Sequence, residues 1–324
     1  MNLIRFFIVL CLVVLMENSF AQLLTATAKE KLIEDRIEYL RNAKLFISNA
    51  YWKEFGKNEF EGTIVYYADS ASYFINPKEE MKQKVSKYTI LENDYNWNIW
   101  KMRLPNDSTD YVLLTTFQYD PKAKWDINYK TPVLFCSSPE LLTKVNKEMS
   151  STEDWVIDVM HELYHQYQYS NDALLTYVMR LYQEKKMIDM DSLQTVYLQN
   201  KMVNDTLKME NDLLKKAIAA GNIEDEKKYF AAFLKLRGAR NLAFFKKNKF
   251  WLSTPEDFWE KMEGSCLMME EKLRKDFNKI PVPDGIQKND LLYKNGSEYV
   301  AYKPDAAKDF GELDDQFYYV GTTG

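Results

Sequence analysis

The chain has 324 residues, enough for one large domain or two modest ones. Hydrophobic residues make up 46% and aromatics 15%, with only 10 Gly and 9 Pro, a composition that excludes a disordered or low-complexity protein. The formal net charge of -5, with both signs spread along the chain, lacks the basic face that nucleic-acid binding requires.

In chain order, residues 1–5 are short and positive, and residues 6–16 (FFIVLCLVVLM) form an apolar run of signal-peptide length. Ser19 and Ala21 then place small residues at the positions a cleavage site needs. The expectation is a signal peptide over 1–21, cleavage after Ala21 and an exported mature chain. Leu10 before Cys11 is not small, which argues against lipidation. No second apolar run reaches membrane length, so the mature chain is expected to have no membrane span.

Residues 22–150 read as an N-terminal α/β lobe. Apolar residues at helical spacing, Leu32, Ile33, Ile37, Leu40, Leu45 and Ile47, predict a helix over 26–50. From 62 to 138 the texture turns β-branched and aromatic, with runs at 63–67, 97–104, 111–117 and 132–136. These predict a small, mostly antiparallel sheet. Residues 151–280 read as a helical lobe. Ser151 and Asp154 supply N-cap chemistry ahead of Trp155, Val156, Val159, Met160, Leu163, Tyr164 and Tyr167, which predicts a helix over 152–169. Further amphipathic helices fill an insertion at about 170–253. Another helix begins near Pro255, with Thr254 as its cap, and carries Trp259, Glu263, Leu267 and Glu270. Residues 281–324 form a C-terminal tail, with a turn at Asn295-Gly296. The fold class expected is α+β, mainly helical. Cys136 and Cys266 either pair or stay as separate buried thiols.

The only histidines are His161 and His165, within His161-Glu162-Leu163-Tyr164-His165. Two histidines placed at random fall four apart roughly 1 time in 160, and a Glu directly after the first lowers this to about 1 in 2,000. On a helix, residues four apart lie on one face, so both imidazoles reach one metal ion. Glu162 lies about 100° further round, where it reaches a water on that metal rather than the metal itself. This is the H-E-x-x-H pattern of zinc peptidases, with one Zn2+ as cofactor and Glu162 as general base.

Catalytic zinc takes three protein ligands plus water. With no third histidine, the third ligand is expected to be a carboxylate, and two glutamates compete. Glu184 follows His165 with eighteen residues between them, in the context Tyr182-Gln183-Glu184-Lys185-Lys186. Glu263 lies in Trp259-Glu260-Lys261-Met262-Glu263-Gly264-Ser265-Cys266, with Glu270 seven residues on. Gly264, lacking a side chain, would let its helix approach the histidine helix closely. Glu270, on the same face as Glu263, could orient a histidine. Asp158, one turn before His161, could do the same.

The stretch around Glu263 resembles the motif that carries the zinc-binding Glu of aminopeptidase N, and His165-Gln166-Tyr167 resembles the H-Q-aromatic of that family. Glu184 has the spacing of the aminopeptidase N type. The resemblance is to the gluzincin clan and covers these two helices. It implies a zincin-like metallopeptidase with His161, His165 and a downstream Glu as ligands, and a peptide or protein as substrate. The long interval between His165 and Glu263 implies a helical insertion. Zincins of this kind place an edge strand above the active-site helix to pair with an extended substrate. Val133, Leu134, Phe135, Cys136 and Ser137, the last strand before the helix, are the candidates. A tyrosine is expected to stabilise the oxyanion, with Tyr293, Tyr299 and Tyr302 among the possibilities. No G-x-M-E-N-like exopeptidase motif precedes the histidines. The alternatives are a non-catalytic zinc-containing binding protein, which has no use for Glu162, and a metal-dependent hydrolase of another bond. Nothing in the sequence reveals the oligomeric state.

Overall fold

The computed structural model describes residues 26–56, 62–68, 71–83, 88–91, 97–103, 113–116, 132–146 and 149–296. The chain is α+β. Helix α1 is Ala26–Ala50, followed by a 3₁₀ turn at Lys53–Gly56. Strands β1 (Thr63–Ala68) and β2 (Ala71–Ile75), the short helix α2 (Glu79–Lys82) and strands β3 (Thr89–Leu91), β4 (Ile99–Arg103), β5 (Leu113–Thr116) and β6 (Val133–Ser137) come next. Helices α3 (Pro139–Leu142), α4 (Thr152–Tyr169), α5 (Asp172–Gln183), α6 (Met190–Gln199), α7 (Lys201–Ile218), α8 (Ile223–Asn248), α9 (Ser253–Asp276) and α10 (Asp284–Asn289) complete the described chain. None of the helices described is long and apolar enough to cross a membrane. The expected signal peptide lies outside the described residues.

The sheet has the order β3-β4-β2-β1-β6-β5. It is mostly antiparallel, as expected, but β1 and β6 run parallel, with Val65 opposite Phe135. Side chains alternate across it. Ile64, Tyr66, Leu134 and Cys136 face the helices, whereas Val65, Tyr67, Val133 and Phe135 face the other way and pack with Phe74, Met81 and Trp100. On the helical face α1 contributes Ile33, Ile37, Leu40 and Ile47, α4 contributes Trp155, Val156, Val159, Met160 and Leu163, and α9 contributes Cys266, Met269 and Leu273. Burying each such side chain contributes roughly 1.5–3 kcal/mol. This layer holds the histidine helix between the sheet and α9.

Val133–Ser137 is not the edge strand. β6 lies inside the sheet, between β1 and β5, and the edge beside α4 is β5. Chain order misleads here because β5 precedes β6 yet pairs on its outer side, Leu113 opposite Cys136 and Thr116 opposite Val133. The cysteines do not pair: Cys136 on β6 and Cys266 on α9 are both buried free thiols of the same core.

Local signals explain the start of α4. Ser151 Oγ accepts from the Asp154 backbone N–H at 3.0 Å, and the Asp154 carboxylate accepts in return from Ser150 N–H at 3.0 Å. The tail is tied down near this point. Asp290, at the end of α10, accepts from Arg36 Nε of α1 at 2.8 Å and from Thr152 Oγ1 of α4 at 2.9 Å. Helix α9 starts two residues before Pro255, with Leu252 rather than Thr254 at the cap position and no side-chain cap. Asn171, Asp189, Asn200 and Asn222 cap the four insertion helices. The insertion packs on the first half of α9 through Val178, Leu181, Met187, Phe258 and Met262. Beneath α7 and α8, Arg240 bonds Glu210 at 2.7 Å and Glu256 at 2.6 Å, with both carboxylates buried.

Candidate metal centre

Helix α4 presents His161 and His165 one turn apart, and α9 crosses them with Glu263. Nε2 of His161 and Nε2 of His165 are 3.0 Å apart. Glu263 Oε2 lies 3.2 Å from each of them. Three donor atoms from two helices thus close a near-equilateral triangle. A tetrahedral zinc with nitrogen and oxygen ligands at about 2.0–2.2 Å keeps them about 3.3–3.5 Å apart, so these residues fit such an ion within a few tenths of an ångström.

The far side of each imidazole is also occupied. Glu270 Oε1 lies 2.6 Å from His161 Nδ1, and Gln168 Oε1 lies 2.8 Å from His165 Nδ1. Asp158 makes neither contact. Its carboxylate lies 3.9 Å from Arg274, and burial together with Glu270 pushes it up to about 7. Glu270 outcompetes it because α9 brings that carboxylate directly onto the ring nitrogen. Glu184 is not brought to the histidines. It follows α5 in an exposed turn and pairs with Lys186 at 2.6 Å.

Charge at the site is arranged to receive a cation. Burial alone would lower both histidines. The hydrogen bonds of Glu263 and Glu270 outweigh it at His161, and Cys266 with Glu263 outweighs it at His165, so both are held well above the ordinary imidazole range. Burial would raise the Glu263 carboxyl, but the two histidines hold it well below the usual range. A dication taken up here would displace protons from the raised imidazoles.

Glu162 is half-buried on α4. Burial is the main cause of the raised Cys136, Cys266 and Tyr169 groups, and the Glu162 carboxylate adds to it in each. Gly264 is buried beside Glu263 on α9. Gln166, in the expected H-Q-aromatic, anchors α4 to the sheet by donating to Thr63 O at 3.1 Å and to Pro132 O at 3.4 Å.

Three residues at the site were not singled out from the sequence. Gln168 was one. Tyr169, one turn past His165, stacks on its ring with centroids 6.2 Å apart, and burial followed by the Glu263 charge raises its phenol. Its spacing of four from His165 was the available signal. Cys266, three residues after Glu263, places Sγ 3.5 Å from Nδ1 and 3.8 Å from Nε2 of His165. Cys266 thus joins the histidines as a possible ligand. Glu263 fits better: its oxygen faces both Nε2 atoms equally, while Sγ sits nearer Nδ1 and burial pushes the thiol up to about 12. Of the tyrosines expected from the sequence, Tyr293 packs near the start of α4 and its hydroxyl accepts from Gly296 N–H at 3.2 Å, away from the histidines. Tyr299 and Tyr302 lie outside the described residues.

No protein-family model, curated protein or solved structure matches the chain.

Proposed function

We propose that this chain is an exported zinc-dependent peptidase of the gluzincin kind. The carrying observation is the triangle of His161 Nε2, His165 Nε2 and Glu263 Oε2, with distances of 3.0 to 3.2 Å and with Glu162 beside it on the same helix. Zinc held there would acidify water and polarise the scissile carbonyl. Glu162 takes the proton of the attacking water on a carboxylate oxygen and delivers it to the leaving amine. Glu270 and Gln168 hold the imidazoles with Nε2 turned to the metal. Among the described tyrosines, Tyr169, stacked on His165, is the one we assign to donate a hydrogen bond to the developing oxyanion. The substrate lies extended along the outer edge of β5, which has no partner strand among the described residues and sits beside α4.

A second reading, a zinc protein without turnover, is favoured by Cys266 Sγ at 3.8 Å from His165 Nε2. A thiolate joining the three ligands would close the coordination shell, as in structural zinc sites.

The deciding experiment digests a diverse peptide library with mature protein, read by mass spectrometry, beside Glu162→Gln and a chelated sample. Cleavage by wild type alone supports the peptidase and reports its subsites. Equal cleavage by Glu162→Gln overturns the mechanism. Zinc-loaded protein that cleaves no peptide leaves the closed site or a non-peptide substrate.

A further inference from the structure

We infer that Gln168 is a positioning residue. It sets the tautomer of His165 and keeps the two metal-bearing helices in register before any metal binds. The inference rests on the metal centre proposed above.

A glutamine amide has an accepting side and a donating side, and its partners decide which way it points. On one side of Gln168 lie the Met262 backbone carbonyl at 3.1 Å and Ser265 Oγ at 2.8 Å. A carbonyl only accepts, so the amide nitrogen must face it. Ser265 agrees with this, because its hydroxyl donates to Lys261 O at 2.8 Å and keeps lone pairs to accept from Gln168. The amide oxygen is thereby turned to His165 Nδ1, 2.8 Å away. An oxygen there requires Nδ1 to carry the proton, which leaves Nε2 as the metal-facing atom. A carbonyl acceptor on α9 thus dictates the protonation of an imidazole on α4.

The same amide fixes Glu263. Met262 and Ser265 flank that residue on α9, and both are bound by Gln168. Glu270 makes the reciprocal crossing, from α9 to His161 on α4. The helices are stitched in both directions around the ligand triangle by groups that need no metal to hold their places. Gln168 differs from Glu270 in being neutral, so it orients His165 without adding charge.

The test titrates zinc and cobalt(II) into full-length wild type, Gln168→Ala and Gln168→Glu. Gln168→Ala is expected to lose about 10–100-fold in zinc affinity, as such orienting partners do, and to alter the visible cobalt spectrum, which a purely structural contact would not move. Gln168→Glu still accepts from Nδ1 but cannot donate to Met262 O, so an intermediate affinity is expected. It also serves as the readout should Gln168→Ala not fold, which circular dichroism of the metal-free protein reports. Wild-type affinity and an unchanged cobalt spectrum in both variants overturn this role alone. Failure of wild type to bind zinc overturns the metal centre, and this inference with it.

Discussion

Glu270 Oε1 sits 2.6 Å from Nδ1 of His161, on the opposite side of the ring from Glu263, so one imidazole is held between two carboxylates of the same helix. One is placed to orient the ring and the other to share the metal. Glu270→Gln is expected to retain zinc with about 10–100-fold weaker affinity. A competition titration against a chelator measures it, and unchanged affinity would show that the contact does not tune the ligand.

Glu263→Ala removes the oxygen common to both Nε2 atoms and is expected to leave the protein without stoichiometric zinc after dialysis. Glu184→Ala removes only an exposed partner of Lys186 and is expected to keep full metal content. Elemental analysis of both variants decides between them, and the reverse outcome would transfer the ligand role to Glu184.

The pH dependence of the cluster differs between its two states. In metal-free protein the histidines are raised, so their contribution to stability is complete below about pH 6.5 and is lost as pH climbs through the raised values. Glu263 is lowered, so its contribution is present above about pH 4.3 and is lost as pH falls through the depressed value. Zinc must displace the histidine protons, so its affinity is expected to rise with pH through the same raised range. Zinc titrations at stepped pH test this, and a pH-independent affinity would contradict the raised histidines.

How much was readable in advance follows from which physics is local. Helices α1 and α4 have the bounds expected from their apolar spacing, and the Ser151–Asp154 cap lies within four residues. Glu263 and Glu270 share a helix face, so the spacing of seven carried both. The β3 strand is only three residues long and gave no distinct pattern, β2 is buried along its whole length and so lacks an alternating one, and the place of β6 inside the sheet depends on pairing with β5, which chain order does not encode. Gln168 and Cys266 matter because α9 crosses α4 after nearly a hundred intervening residues, and neither shows its partner locally.

The insertion is built on charge as well as apolar packing. Arg240 is fully buried between Glu210 and Glu256, and Glu256 also accepts from Tyr197 Oη at 2.8 Å. Removing the guanidinium leaves the buried Glu210 without its countercharge, while Glu256 keeps Arg237 at 3.4 Å; breaking a buried pair typically costs about 3–5 kcal/mol, so Arg240→Ala is expected to lose that much stability. Denaturant unfolding of zinc-loaded protein measures it. A loss below about 1 kcal/mol would mean that water reaches these carboxylates.

Gly62 lies where β1 begins, against the amide that pins the histidine helix to the sheet. A Cβ there would fall 2.5 Å from Gln166 Nε2 and 2.7 Å from Pro132 O. Gly62→Ala is therefore expected to cost about 1–3 kcal/mol by overpacking and to weaken zinc binding by displacing α4. The two contacts can be separated. In a Gln166→Ala background the side-chain clash disappears but the Pro132 carbonyl remains, so the cost of Gly62→Ala should shrink without vanishing. A double-mutant cycle on unfolding free energy, with a coupling of at least about 0.5 kcal/mol, would establish the pair. Strict additivity would show that the backbone at Pro132, and not Gln166, is what demands glycine.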